Sequence, residues 1–419
     1  MSINHIATHL SYRLLIILLS PLILTHIVWL AIKNNQSRYF WQRLGFNYSQ
    51  LPAGCLWFHC ASVGEVNTLL PLLKNLHVKN NQAKFIITSN TVTGGKIVKQ
   101  QNLDYLFHCY LPFDWFFTIR SFLSAVKPTA LYVMETEIWP NLFTACNNKN
   151  IPVYIINARL SSKTTSANAW IKSLLKLSLS KTNAIYARSK KDAIAYEVLG
   201  ANKDRIKTIG NLKLTTAINN SDTAVESPLT IKRDYVLVAS THDDEEKHIY
   251  KIWKELQRDE LLVIAPRHPQ RCPSIINQLD NEDIAVRSKN DEVTGQTKIF
   301  LLDTVGELKG LFANAKFVVM GGSFVAIGGH NILEPASYNK AIITGPYMEN
   351  FKEELDLMLE KKAIIQITSI EQPYVQLKQQ LSKLLNEKDY RLILEKNTSG
   401  LTHNVEKILE DYTDLILAV

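Results

Sequence analysis

Short apolar runs recur along this chain, each followed by a longer amphipathic stretch, and that alternation constrains the fold more than any other feature. The runs Leu56 to His59, Phe85 to Thr88, Ala130 to Met134, Val153 to Ile156 and Ala184 to Ala187 form one series. A second restarts at Tyr235 to Ala239 and continues through Leu261 to Ala265, Ile299 to Leu302, Phe317 to Met320 and Ala341 to Thr344. Between the runs lie stretches of helical character, such as Val66 to Leu76 and Ala169 to Leu179, and the end of the chain, Val375 to Leu417, is helical and charged. Apolar strands that alternate with helices imply a parallel sheet covered on both faces. The polar stretch Thr215 to Arg233 separates the series, which predicts two α/β domains with a boundary near Asn220. At 419 residues and 46% hydrophobic content, the chain has the length and apolar surface for two cores.

The N-terminus has a different pattern. Leu14 to Ile32 contains no Asp, Glu, Lys or Arg, and as a helix rising about 1.5 Å per residue it reaches roughly the thickness of a bilayer's hydrocarbon core. It predicts a single membrane anchor within residues 1–35, without the small-residue cleavage site of a signal peptide before Lys33. Arg13 precedes the segment while Lys33, Arg38 and Arg43 follow it, so the positive-inside tendency puts the body of the chain in the cytoplasm. The formal charge of +8 is spread along the sequence rather than gathered in a run. That argues against a nucleic-acid arm and suits an anionic ligand or membrane face. Five cysteines without a C-x-x-C pair indicate neither a disulfide framework nor a zinc cluster.

Open parallel sheets bind ligands beyond the carboxyl ends of their strands, so the residues after each run carry the functional interest. Ser62-x-x-Glu65 matches a capping box, and spacing alone favours that reading; the alternative is that Glu65 is a carboxylate general base. Glu135 and Glu137 follow another strand, and a carboxylate there needs a partner or a job. Arg159 and Lys213 are candidate cations for an anionic substrate, or plain surface charges. In the second half, Thr241-His242 opens an acid-rich helix from Asp243 to Leu256, and Pro266-Arg267-His268 could meet a phosphate, with Arg271 close behind. Asp303 to Glu307 and Asn331 to Glu334 repeat the cap pattern. Glycine pairs at Gly321-Gly322 and Gly328-Gly329 precede the latter, a strand, glycine loop and helix that predicts an anion seat.

These motifs stand in a recognisable order: HCASVGEV, YLPFD, METEIWPNL, NARLS, GNLK, ASTHDDEE, APRHPQR, DTVGEL, GGSFVAIGGHNILEPA and GPYMENF. In that order, after an N-terminal anchor, the chain resembles the 3-deoxy-D-manno-octulosonic acid (Kdo) transferases of lipopolysaccharide assembly. The resemblance implies a glycosyltransferase B-type fold, with an acceptor domain over residues 36–219, a donor domain over residues 220–419 and a cleft between them. It implies transfer of Kdo from CMP-Kdo to a lipid A precursor (lipid IVA) at the bacterial inner membrane, with no metal and no cofactor beyond the donor substrate. It makes Glu65 the general base and Glu135 and Lys213 transition-state assistants. CMP is then held by Pro266 and Arg267, by Val305, Gly306 and Glu307, and by Asn331, Ile332, Leu333 and Glu334. The chain departs from the family at Val305, where a methionine is expected, a change that backbone contacts tolerate. The competing readings are a UDP-sugar transferase acting on an undecaprenyl-linked acceptor, and a membrane-tethered nucleotide-binding scaffold without chemistry.

Overall fold

The computed structural model describes residues 3–215, 229, 231–279 and 283–419. It divides into two compact units, one comprising Met1–Thr216 with Lys407–Val419 and the other Ala217–Glu406. Most of the polar stretch read as a linker, Asn220 included, lies outside the described residues.

Each unit is built on a seven-stranded sheet whose pairings are all parallel. The first contains β1 (Leu56–Cys60), β2 (Phe85–Ser89), β3 (Leu106–Tyr110), β4 (Ala130–Met134), β5 (Val153–Ala158), β6 (Ala184–Ala187) and β7 (Ile206–Thr208). Their order is β3-β2-β1-β4-β5-β6-β7. The second contains β8 (Tyr235–Thr241), β9 (Leu261–Pro266), β10 (Ile284–Val286), β11 (Ile299–Leu301), β12 (Val318–Met320), β13 (Ile342–Thr344) and β14 (Ile365–Gln366). They run β10-β11-β9-β8-β12-β13-β14. In both, the chain leaves its first strand to one side and later returns to the other, so β1/β4 and β8/β12 are topological switch points, where doubly wound sheets bind ligands.

Burial on both faces explains why these strands are apolar throughout. Trp57 and Phe58 are consecutive on β1 and point to opposite faces, yet both are fully buried. Trp57 packs on Phe122 with centroids 4.7 Å apart, and Phe58 stacks on Tyr132 at 5.0 Å. The strands the sequence pattern misses are β3, β7, β10 and β14. The last three are only two or three residues long. β3 conceals itself behind His108, a buried polar residue satisfied by a 2.9 Å hydrogen bond between its Nε2 and Ser89 Oγ.

The closing segment, grouped by sequence with the second half, belongs at its end to the first unit. Tyr412 and Ile416 are buried there, and the Tyr412 hydroxyl accepts from Asn157 N at 3.1 Å.

The anchor expected as a single helix is a broken one. Ile3–Leu18 and Ser20–Lys33 are separate helices, bent by 54° at Leu19 beside Pro21, whose nitrogen has no hydrogen to donate to the preceding turn. No single helix among the described residues is long and apolar enough to cross a membrane. The pair also binds to the first unit. Tyr12 donates to buried Asp114 at 2.8 Å, Arg13 donates to Asn141 at 3.0 Å, and Ile27 and Ala31 bury with Tyr39, Val92 and Tyr110. Asp114 in turn accepts from Asn141 N and Leu142 N, satisfying orphan amides at the start of the helix Pro140–Asn148.

Candidate functional site

In the first unit, the ends of neighbouring β1 and β4 gather acids. Ser62 caps the helix Val63–Lys79 by accepting from Glu65 N at 3.2 Å, and Glu65 reaches back to accept from Ala61 N at 2.8 Å and from the Ser62 hydroxyl at 3.0 Å. The capping reading is therefore realised, but the carboxylate carries a further burden. Burial pushes its pKa up to about 7, and the nearby charges of Glu135 and Glu137 add to the rise while the Ala61 and Ser62 hydrogen bonds oppose it. A carboxylate in that range can accept a proton near neutral pH and later release it.

Glu135 follows β4 in a left-handed backbone conformation, φ 53°, which is unfavourable for a residue with a side chain. Its amide donates to Ile156 O, its carbonyl accepts from Tyr196, and its carboxylate meets Arg159 Nε at 2.7 Å. Arg159, a candidate for substrate binding in the sequence, is thus the partner that Glu135 required. Glu137 accepts from Asn90 and Trp139 and lies 3.7 Å from His59 Nε2. Burial raises its pKa, yet His59, Trp139 and Asn90 more than offset that and hold it below the ordinary range. Lys213 is exposed, on a segment fixed by Asn157, whose side chain accepts from Leu212 N at 3.0 Å.

In the second unit, β9, β8 and β12 are neighbours, and their carboxyl ends deliver imidazoles and a guanidinium. Pro266 ends β9 and is buried, while Arg267 beyond it is anchored by its amide to Thr241 O at 2.9 Å and keeps its side chain exposed. His268 follows, with its ring 5.6 Å from that of His242, which stacks at 5.1 Å on His330. Arg271 is committed elsewhere, to Glu246 and Asp243 at 2.8 Å each.

The structure changes the meaning of the glycine loop. Fully buried Glu245 accepts from Gly322 N at 2.7 Å, Phe324 N at 3.0 Å and His242 N at 2.8 Å. Those loop amides are spent on a protein carboxylate and do not form the expected anion seat. A Cβ on Gly321 would come within 2.6 Å of Thr241 Cα, and one on Gly329 within 2.3 Å of Met348 Sδ, so these glycines permit chain to pack on chain. Sequence reasoning missed Glu245 because it opens an acid-rich helix and reads as surface; its only cue was the invitation of GGS to a buried acceptor.

The remaining predicted donor residues divide by what is exposed. Val305 is 88% exposed and Gly306 has φ +96°, while Glu307 is held by Arg287 through contacts of 2.8 to 3.1 Å. Ile332 and Leu333 are buried, so only their backbones can meet a ligand. Asn331 Oδ1 accepts from Leu333 N at 3.1 Å, ahead of a helix of only five residues, Leu333–Ser337. Glu334 in its first turn is half-buried.

A family model described as 3-deoxy-D-manno-octulosonic-acid transferase (kdotransferase) matches residues 38–216, the span that carries Glu65, Glu135 and Lys213. The 3-deoxy-D-manno-octulosonic acid transferase of Haemophilus influenzae is 33% identical over 394 residues, covering 91% of each chain. The chain belongs to the Kdo transferase family. The Rickettsia felis 3-deoxy-D-manno-octulosonic acid transferase is 31% identical and covers 86% of this chain and 78% of its own. A Kdo transferase is a glycosyltransferase, so the strand ends above belong to an enzyme. Among solved structures, a UDP-GlcNAc 2-epimerase from Neisseria meningitidis bound to UDP-GlcNAc aligns with a TM-score of 0.54 over 86% of this chain and 99% of that one. At 13% identity it shows a shared fold, and with it two parallel-sheet α/β domains of the glycosyltransferase B type.

Proposed function

We propose that this Kdo transferase moves Kdo from CMP-Kdo to a lipid A precursor, lipid IVA, in lipopolysaccharide assembly, with Glu65 as general base and without a metal. The observation that carries the reading is the carboxylate of Glu65, fixed by two hydrogen-bond donors at the β1/β4 switch point and raised by burial to a pKa of about 7. A sugar hydroxyl is a poor nucleophile until its proton has somewhere to go. Glu65 takes that proton as the hydroxyl oxygen bonds to the anomeric carbon of Kdo. The bond from that carbon to the phosphate oxygen breaks, and its electron pair stays on the departing CMP.

Glu135 strengthens the base by its negative charge, and Arg159 holds it in place. Lys213 supplies a cation for the sugar's carboxylate. Arg267 meets the phosphate with a charge-assisted hydrogen bond, which lets a side chain do the neutralising that a metal ion does elsewhere. Glu334 accepts from the ribose hydroxyls, and Pro266, Val305, Gly306, Glu307, Asn331, Ile332 and Leu333 shape the nucleotide seat, largely through backbone.

The lipid acceptor and an inner-membrane address are supported by the broken N-terminal helix pair. One side is buried on the first unit, while the other exposes Leu14, Ile17, Leu18, Leu22, Trp29 and Ile32. A helix pair of that kind lies in the membrane interface with its apolar side among the acyl chains. Between the pair and the body is an open cavity of about 540 Å³, lined by Leu22, Ile23, Leu30 and Phe113 and, at its polar part, by Arg43 and Asn90. An acyl chain and an anionic headgroup match those two parts.

The test is to incubate the full chain in lipid with CMP-Kdo and lipid IVA and to weigh the lipid product. The expected result is a Kdo-bearing lipid whose formation CMP inhibits and UDP does not. Absence of Kdo on the lipid, or inhibition by UDP alone, would sink the reading.

A further inference from the structure

The His242–His330 contact has a chemistry of its own. The two Nε2 atoms are 2.9 Å apart and the rings are nearly parallel, 17° between planes. At that distance one Nε2–H donates to the lone pair of the other, so one ring carries its proton on Nε2 and the other on Nδ1. Such a pair can accept one further proton, on the free Nδ1. It cannot accept two, because a second would set two N–H groups against each other. The rings therefore titrate as one unit.

The fold takes care to hold them together. His242 follows β8, and His330 is on the loop after β12, so the pair straddles the switch point of the second sheet. The three-amide grip of Glu245 fixes His242 N and Gly322 N to a single buried carboxylate. Gly322 has φ +64°, and a Cβ there would come within 2.6 Å of His330 Cδ2, so the ring lies directly on this backbone. Both rings remain half-buried rather than sealed.

The surroundings of the pair disfavour a charge on it. Burial is the largest influence on each ring and lowers both pKa values, His330's to about 4. Arg267 and His268, from the β9 end, disfavour a charge on either ring. Arg271 adds to this at His242, where Glu246 on the adjoining helix opposes it. An arriving phosphate reverses that balance, because its negative charge offsets the cations and rewards a proton on the imidazoles.

Building on the donor-site reading above, we propose that His242 and His330 form a proton-holding pair that takes up a single proton when the phosphate of the donor binds and presents an N–H to it. During transfer the carbon–oxygen bond to the anomeric carbon breaks, and the phosphate gains one unit of negative charge. The proton held by the pair stabilises that charge by hydrogen bonding, without having to leave the imidazoles. With Arg267, it makes the nucleotide a better leaving group.

The experiment is calorimetric titration of the full chain with CMP near neutral pH, in buffers of different ionisation enthalpy, which counts the protons taken up on binding. About one proton per CMP is expected for the unaltered protein, the limit for a pair that titrates together. The double variant His242→Gln/His330→Gln should abolish the uptake and lower kcat by about 10²-fold, as loss of one preorganised donor does, while His268→Gln should keep it. CMP binding without proton uptake in the unaltered protein, or uptake that survives in the double variant, would overturn the proposal and leave the donor-site reading standing. Absence of CMP binding altogether would remove both. The count on the unaltered protein decides the matter even if a variant fails to fold.

Discussion

The two units share a topology and differ in what their strand ends carry. At the β1/β4 switch point the first unit collects Glu65, Glu135 and Glu137, and its cation Arg159 is tied to one of them. At the β8/β12 switch point the second unit collects His242, His330, His268 and Arg267, while its acids Glu245 and Glu246 are turned inward to hold backbone and Arg271. One scaffold thus gathers carboxylates at its strand ends in one copy and imidazoles with a guanidinium in the other. The fold supplies the place, and a handful of residues after each strand sets the sign of the charge.

Four changes sharpen or break that contrast, taken from the largest effect down. Glu65→Gln keeps a capping-box residue but removes the base, so kcat should fall by about 10²–10⁴-fold with little change in melting temperature. A matched loss of stability and activity would mean that Glu65 is a cap alone. Glu245→Ala strands three buried amides and should cost about 3 kcal/mol or more of unfolding free energy in denaturant titrations; near-wild-type stability would show that the loop amides find other partners. Arg267→Met should weaken CMP binding by about 10–100-fold, the worth of a charge-assisted hydrogen bond, with unchanged affinity for the lipid acceptor.

The smallest effect is in pH. Burial raises Glu65 and Asp114 to about 7 and Glu245 to about 6, against ordinary values of 4.5, 3.8 and 4.5. A carboxyl raised on folding holds its proton more tightly in the folded state, so its contribution is full below the unfolded value and is lost as pH rises through the folded one. Melting temperature should therefore decline as pH rises from about 4.5 through about 7, and Glu65→Gln should flatten part of that slope. A rising curve would contradict the upward pKa shifts of these buried groups.

Much of this molecule was legible in its sequence because parallel strands buried on both faces advertise themselves. The runs Ala130 to Met134 and Ala184 to Ala187 coincide with β4 and β6 to the residue. Glu65 was legible as an ambiguity between cap and base; the structure makes the cap and raises the pKa of the carboxyl. What stayed hidden depends on long-range partners. Nothing near Glu245 in the sequence announces that its hydrogen-bond donors are the amides of Gly322 and Phe324. The meeting of His242 with His330 depends on β8 and β12 being neighbours, which local pattern does not encode. The break in the expected anchor helix brings in the same kind of partner. Composition reported the apolar length and Pro21 the place of the bend, but the packing of Ile27 with Tyr39, Val92 and Tyr110 depends on the body beneath.

The division of labour between the units is tested most directly by titrating CMP into Glu65→Gln beside the unaltered protein and measuring Kdo transfer on the same preparations. Nucleotide affinity within about twofold of the unaltered protein, with transfer reduced by about 10²-fold or more, is the expected result. A variant that loses CMP affinity in step with transfer, or that transfers Kdo at the unaltered rate, would contradict it.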